Sequence, residues 1–341
     1  MNYLLYCALE SEDIVKETIL SVHTLFSFHK MEKLKVIICT DQKDKFDLFY
    51  SSIDCWYYDY LIFEQINKEK LNQWKGRYNY IYRVKIKALI YIFQKYEGNV
   101  LFLDSDVCIL QNLQCIFDYM SNNGVCMCST EYITFDESIY LGKQYFYFKN
   151  FVRGDSLILK NANHYYEIPL SYMHFNSGVI GINDKLKLLL NEALELCDFI
   201  CRYKLKFHNA EELAFSYVFQ KYGNIRCCDD EIIHYCLAKE FRYIIDRYCG
   251  FNLWYKQILD HFLNEIGLRN LSLKQIRYDD MYYLYFYFRL YICGYRVSNY
   301  LENKQKIMLE IQHRGFLNYQ RFLTENKFKE EYFLKTKEKF K

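Results

Sequence analysis

Apolar runs of strand length alternate with helical patterns through the first half of the chain. Residues 3–9 are typical of a buried strand, and residues 14–28 have the apolar spacing of an amphipathic helix. Further strands are predicted at residues 35–39, 61–63 and 99–103, and a long helix at residues 80–96 that stops at Gly98. This alternation predicts an α/β domain with a parallel sheet, whose ligands bind at the carboxyl ends of the strands.

The pattern continues into the second half and then changes. Residues 174–183 predict a buried strand, residues 211–222 a helix and residues 232–235 a short strand. From about Gly250 the segments are charged, aromatic and helical in pattern, and the chain ends in a lysine-rich tail. We therefore predict an α/β domain over residues 1–249 and a helical, aromatic and lysine-rich region over residues 250–341.

The composition excludes several classes of protein. A chain of 341 residues with 52% hydrophobic residues can bury a substantial core, so a disordered chain is not expected. The 44 lysines and arginines nearly balance the 42 aspartates and glutamates, which predicts no nucleic-acid partner. The chain has no run of about 18 uncharged apolar residues, so we expect no membrane span. The 14 cysteines, with no apolar leader, indicate reduced thiols and a cytoplasmic location.

The strongest chemical signal is a pair of aspartates directly after the strand at residues 99–103. Asp104 and Asp106 are one residue apart, so both side chains can face one ligand while Ser105 points to the other side. Carboxylates combined with substrate phosphates are a common environment for Mg²⁺ or Mn²⁺. Short Asp-x-Asp strings also occur in solvated turns, but the buried strand before this one favours a metal site.

Two further segments carry polar residues next to apolar ones. Arg83 and Lys87 lie four residues apart on the predicted helix and share a face, which suits either a diphosphate or solvent. Asn176, Ser177 and Gly178 stand at the mouth of a predicted strand, where a glycine lets a ligand or a backbone segment approach closely. A simple tight bend is the alternative there.

Acidic residues and histidines mark the later elements. His208, Glu211 and Glu212 lie at a predicted helix start, where the helix dipole alone also favours acids. His234 ends a predicted strand, and Lys239 follows shortly after. A lone histidine is more often structural than a ligand, but with the two aspartates it would complete a metal site that leaves positions open for phosphate oxygens.

The order of these motifs resembles the GT-A glycosyltransferases of family 8, the family of glycogenin and the bacterial lipooligosaccharide galactosyltransferases, over residues 3–241. The resemblance implies that the aspartates and His234 bind the metal and that Asn176, Glu211 and Glu212 serve catalysis. Glu211 and Glu212 stand where the family has an Asp-Gln pair, and Lys239 lacks the family's Lys-Pro-Trp context. The implied donor-binding residues are Ala8, Leu9, Glu10, Arg83, Lys87, Ser105, Ser177, Gly178 and Lys239.

The resemblance also implies a reaction. It predicts Mn²⁺- or Mg²⁺-dependent transfer from a nucleotide-sugar, a UDP-sugar by expectation, to a glycan, lipid-linked or protein acceptor with retention of configuration. An inverting enzyme would need a carboxylate base, for which Asp155, Glu211 and Glu212 are candidates. A nucleotidyltransferase usually needs a glycine-rich loop, and residues 3–12 contain no glycine. A non-catalytic nucleotide- or carbohydrate-binding protein is the remaining alternative.

The region after Gly250 combines crowded aromatic residues with the lysine-rich tail. Interfacial anchors have both features, so we predict a weak peripheral association with the inner face of a membrane. The acids in the tail reduce its positive charge. A solvated helix, or a helical cap on the catalytic domain or on a second subunit of a homo-oligomer, are the alternatives.

Overall fold

Four parallel strands form one half of a central sheet. In this computed structural model they are β1 (Asn2–Ala8), β2 (Leu34–Thr40), β3 (Leu61–Gln65) and β4 (Asn99–Leu103). They lie in the order β3-β2-β1-β4, with all neighbouring pairs parallel. The strand sequences are nearly continuous apolar runs, as expected for strands covered on both faces. The carboxyl ends of these strands therefore meet at one edge of the sheet.

The other half of the sheet contains a strand of opposite direction. Strand β10 (Asn176–Asn183) is antiparallel to β4 on one side and to β6 (Val125–Cys128) on the other, and β11 (Ile225–Cys227) is parallel to β6. The start of β10 therefore lies at the edge where β4 ends. This direction brings Asn176 close to the residues that follow Leu103.

Seven helices are described together with the sheet. They are α1 (Glu12–Phe26), α2 (Lys43–Ser51), α3 (Lys68–Lys75), α4 (Arg83–Phe93), α5 (Gln114–Ser121), α6 (Leu189–Arg202) and α7 (Ala210–Tyr222). Helix α7 is buried from Ala210 to Phe219, and it packs against α6 and β10. A helix buried on all sides lies in the interior, so the acids in its first turn are also inside the protein.

Two small sheets complete the described fold. Strands β5 (Val107–Ile109) and β12 (Ile232–His234) form an antiparallel ribbon directly after the two aspartates. Strands β7 (Val152–Arg153), β8 (Ser156–Lys160) and β9 (Tyr165–Pro169) form an antiparallel sheet. Asp155, a candidate base from the sequence, lies exposed between β7 and β8.

The described residues all belong to one compact unit, Met1–Cys236. The second unit, Leu237–Lys341, lies outside them, so the boundary near residue 250 and the aromatic and lysine-rich region stay predictions. Among the described helices, none is long and apolar enough to cross a membrane. The structure describes residues 1–26, 33–51, 56–109, 111–128, 151–160, 165–202, 209–228 and 230–234.

The prediction of an α/β domain with a largely parallel central sheet is confirmed. The long helix is shorter than predicted, because it begins at Arg83 and leaves Ile81 42% exposed. It also ends at Phe93 and not at Gly98. Gly98 has a φ of +126°, and a Cβ atom there would lie 2.2 Å from the Met1 carbonyl oxygen. This glycine therefore serves the close approach of the chain start to β4 and does not cap the helix.

Candidate metal and donor site

Asp104 and Asp106 leave the end of β4 on the same side. The backbone N–H of Asp104 donates to the carbonyl oxygen of Gly178 on β10 (2.8 Å), which fixes the first aspartate at the strand end. Asp106 is buried, whereas the Asp104 side chain is 22% exposed. The two carboxylates therefore lie on one side of the chain, as the alternation of side-chain directions predicted. Asp106 is buried more deeply than Asp104.

His234 reaches the aspartates through the ribbon of β5 and β12. Its register partner on β5 is Val107, the residue directly after Asp106. His234 Nε2 lies 3.2 Å from Asp106 Oδ1 and 3.7 Å from Asp104 Oδ2. Ligand atoms of all three residues lie within 4.8 Å of one another. The donor set of two carboxylates and one imidazole fits a divalent cation such as Mn²⁺ or Mg²⁺.

The segment Asn176-Ser177-Gly178 lies against His234. Asn176 Oδ1 is 2.7 Å from His234 Nδ1 and accepts a second hydrogen bond from the backbone N–H of Gly178 (2.8 Å). A Cβ atom on Gly178 would lie 2.2 Å from His234 Nδ1. The close approach predicted for Gly178 is therefore present, and the group that approaches is the imidazole of His234.

Lys85 is a buried cation next to the first aspartate, and the sequence reasoning missed it. Its ammonium donates to Asp104 Oδ2 (2.7 Å), to the Ser177 hydroxyl (3.1 Å) and to the Ser177 carbonyl oxygen (3.3 Å). Burial alone lowers the pKa of Lys85, but the charges of Asp104 and Glu211 outweigh burial and raise it above its usual value. Lys85 is therefore a fixed positive charge at the site.

Glu211 lies behind Lys85 and is 2% exposed. It accepts hydrogen bonds from the hydroxyls of Tyr80 and Ser177, and Lys85 Nζ lies 4.0 Å from it. Burial raises the pKa of Glu211 to about 7, with the charge of Glu212 adding to the rise and Lys85 opposing it. A carboxyl group with this pKa is partly protonated at neutral pH.

Glu212 has different neighbours from Glu211. Its Oε1 atom accepts a hydrogen bond from Asn176 Nδ2 (3.0 Å), and its Oε2 atom is hydrogen-bonded to His174 Nε2 (3.1 Å) and to Asn209 Nδ2. Burial favours a higher pKa for Glu212, but the hydrogen bond and charge of His174 outweigh burial and lower the pKa. Glu212 is therefore ionised at neutral pH, and both of its oxygens are engaged within the protein.

Two predicted donor-binding hydroxyls point into the protein. The Ser105 hydroxyl donates to Glu17 Oε2 on α1 (3.0 Å), and Glu17 is fully buried. The Ser177 hydroxyl is also fully buried, between Lys85 and Glu211. Both hydroxyls that we expected to bind the donor are therefore hydrogen-bonded to side chains within the protein.

Arg83 and Lys87 share a face of α4 as predicted, but Arg83 is committed to other partners. Its Nε and Nη2 donate to the carboxylate of Asp198 on α6 (2.6 and 2.9 Å). Its Nη1 donates to the carbonyl oxygens of Trp74 (2.6 Å) and Gln73 (3.3 Å) at the end of α3. Burial and the charge of Arg83 lower the pKa of Lys87, which is half-buried. The cation that contacts Asp104 is instead Lys85.

The residues expected around the base lie at the carboxyl end of β1. Ala8 and Leu9 are buried, whereas Glu10 is exposed and has a φ of +66°. The Glu10 carboxylate pairs with Lys75 (2.7 Å), and its backbone N–H donates to Asp41 (3.1 Å). Because β1 pairs with β4, these residues lie on the same edge of the sheet as Asp104. His208 and Lys239 lie outside the described residues.

The chain resembles several solved structures, although no family model and no curated protein matches it. The apo form of mouse xyloside xylosyltransferase 1 is 13% identical over 67% of this chain and 86% of that chain, with a TM-score of 0.47. Galactosyltransferase LgtC with donor and acceptor sugar analogues is 13% identical over 63% and 70%, with a TM-score of 0.42. The glycosyltransferase GlyE of Streptococcus pneumoniae TIGR4 is 12% identical over 80% and 53%, with a TM-score of 0.38. All three of these proteins are glycosyltransferases.

Proposed function

We propose that this chain is a metal-dependent glycosyltransferase that moves a sugar from a UDP-sugar to a glycan, lipid-linked or protein acceptor, with retention of configuration. The observation that carries the proposal is the convergence of Asp104, Asp106 and His234, whose ligand atoms lie within 4.8 Å. Two carboxylates and one imidazole suit Mn²⁺ or Mg²⁺ and leave positions for the phosphate oxygens of a nucleoside diphosphate.

The surroundings of the triad support a diphosphate leaving group. In α/β sheets nucleotides bind outside the carboxyl ends of the strands, which is where Asp104 follows β4. A cation bound by the triad would neutralise negative charge on the departing diphosphate. Lys85, which donates to Asp104, adds a second positive charge at that position. On this proposal Ala8, Leu9 and Glu10 surround the base, and Lys239 binds a phosphate.

The paired glutamates have separate roles in the proposal. Glu211 is the group that we assign to the acceptor side, because a carboxyl group with a pKa of about 7 can both hold and release a proton at neutral pH. Glu212 is ionised and holds Asn176. Arg83 and Lys87 then support α4 and not the diphosphate, since Arg83 pairs with Asp198.

A donor screen tests the proposal. The full-length protein is incubated with UDP-, GDP- and CMP-sugars with and without Mn²⁺, and the released nucleotide is measured. We expect slow, metal-dependent hydrolysis of a UDP-sugar that Asp104→Asn and Asp106→Asn abolish. Asp118→Asn is the matched control, because Asp118 is an exposed aspartate whose carboxylate accepts from Gln114 on its own helix.

The same screen separates the other functions. Pyrophosphate released from a nucleoside triphosphate would indicate a nucleotidyltransferase, and binding of a UDP-sugar without turnover would indicate a binding protein. Hydrolysis that does not require metal, or that survives Asp104→Asn, would contradict the proposed function.

A further inference from the structure

The imidazole of His234 rests on the backbone of Gly178. A Cβ atom on Gly178 would lie 2.2 Å from Nδ1 and 2.3 Å from Cε1 of His234. These distances are far inside van der Waals contact, so the ring occupies the space that any other side chain at position 178 would need. The glycine is therefore required by the histidine ring, 56 residues later in the sequence.

Hydrogen bonds determine which nitrogen of the ring faces the aspartates. Asn176 Oδ1 accepts from the backbone N–H of Gly178 (2.8 Å), and Asn176 Nδ2 donates to Glu212 Oε1 (3.0 Å). A backbone N–H only donates and an ionised carboxylate only accepts, so the orientation of the Asn176 amide is fixed at both ends. His234 Nδ1, 2.7 Å from Asn176 Oδ1, must then carry the proton. Nε2 is then the nitrogen that faces Asp104 and Asp106, and its lone pair is the one that a bound cation would meet.

We propose that Asn176, Gly178 and Glu212 form a seat for His234, which fixes the tautomer and the orientation of its imidazole so that Nε2 faces the metal position. The inference rests on the proposed function, in which His234 is the third metal ligand. It gives a positioning role to three residues that the sequence reasoning assigned to the donor or to catalysis. Partners that hold the second nitrogen of a ligating histidine orient the ring and fix its tautomer.

Glu212 anchors the seat in the interior. Its side chain is 7% exposed, and the second oxygen is bonded to His174 (3.1 Å) and to Asn209 at the start of α7. The Asn176 amide therefore cannot turn without breaking bonds at Glu212, Gly178 and His234 together. This arrangement holds the imidazole in place before any metal arrives.

The test is a Mn²⁺ titration of the full-length protein, combined with electron spin echo spectroscopy of the bound ion. This spectroscopy detects the nitrogen of an imidazole bound to Mn²⁺. We expect the nitrogen signal in the unsubstituted protein and its loss in Asn176→Ala and Gly178→Ala, with Mn²⁺ affinity about 10- to 100-fold weaker. The double variant Asn176→Asp with Glu212→Gln reverses their hydrogen bond but keeps an acceptor for Nδ1, so it should restore the signal.

Gly181→Ala is the matched control for a disturbed strand. Gly181 is also on β10, and a Cβ atom there would lie 2.8 Å from the Cys126 side chain, away from His234. We expect this variant to lose stability but to keep the nitrogen signal. A nitrogen signal that persists in both Asn176→Ala and Gly178→Ala would overturn the seat alone. Absence of the signal in the unsubstituted protein with Mn²⁺ bound would overturn His234 as a ligand and with it the seat, whereas absence of specific Mn²⁺ binding would overturn the proposed function as well.

Discussion

Replacing Glu211 with glutamine is expected to change how the stability of the protein depends on pH. Burial raises the pKa of this carboxyl group from 4.5 to about 7. Because the folded state has the higher pKa, the unfolded state releases the proton first as pH rises, and ionisation favours unfolding. The free energy of unfolding contributed by Glu211 is therefore highest below pH 4.5 and falls as the pH rises to about 7.

The size of the effect follows from the difference in pKa. The rise in the pKa of Glu211 corresponds to about 3 kcal/mol, and most of this free energy of unfolding is lost between pH 5 and pH 8. Glu211→Gln keeps the shape of the side chain but has no proton to release. The variant should therefore gain about 2 to 3 kcal/mol in free energy of unfolding, relative to the unsubstituted protein, when both are moved from pH 5 to pH 8.

Urea unfolding at pH 5 and pH 8, in the presence of a chelator, measures this difference. Trp74 is buried and provides a fluorescence signal. Glu64→Gln is the matched control. Burial favours a higher pKa for Glu64, but the hydrogen bonds from Lys95, Tyr91 and Tyr96 outweigh burial and lower the pKa. The contribution of Glu64 to the free energy of unfolding is therefore nearly constant above pH 5. If the free energy of unfolding changes equally in Glu211→Gln and in the unsubstituted protein between pH 5 and pH 8, the pKa of Glu211 is not raised. The role on the acceptor side that we assign to Glu211 would then have no basis.

Three other substitutions test the contacts around the site. Lys85→Met removes the cation from Asp104 and Glu211 and should lower the free energy of unfolding by about 3 to 5 kcal/mol, measured by thermal unfolding. The same variant should bind UDP more weakly in calorimetry. Arg83→Ala should cost about 1 to 2 kcal/mol, since Asp198 is 38% exposed, and should leave Mn²⁺ affinity unchanged in the same titration used for His234. Ser105→Ala leaves the buried Glu17 without its hydroxyl donor, which should lower the free energy of urea unfolding by about 1 to 3 kcal/mol.

The sequence predicted the parts of the site that depend on local chain geometry. Residues 99–103 form β4 with the predicted bounds, and the two aspartates that directly follow it have carboxylate oxygens within 4.8 Å of each other, as period-two alternation predicts. The first turn of α7 begins one residue before its predicted start. These features follow from the burial of a single element, and the apolar pattern of that element is visible in the sequence.

Features that depend on two distant elements were harder to predict. Lys85 was not predicted as a site residue because a buried lysine is unusual, although it stands three, four and seven residues before Ala88, Leu89 and Ile92 on the buried face of α4. The contact of Gly178 with His234 depends on the pairing of β12 with β5, which no local pattern reveals. The sequence indicated that a ligand or a backbone segment approaches Gly178 closely, whereas the group found there is the side chain of His234.

The ribbon of β5 and β12 also sets the time at which the triad can form during synthesis. His234 lies 128 residues after Asp106, so a ribosome adding about 5 to 20 residues each second leaves the aspartates without their histidine for roughly 6 to 26 seconds. Lys85 is made before Asp104 and pairs with it at 2.7 Å. Lys85 can thus neutralise the charge of Asp104 before His234 is synthesised. We expect ribosome-bound chains that are stalled before β12 emerges to show no specific Mn²⁺ binding in a pull-down titration.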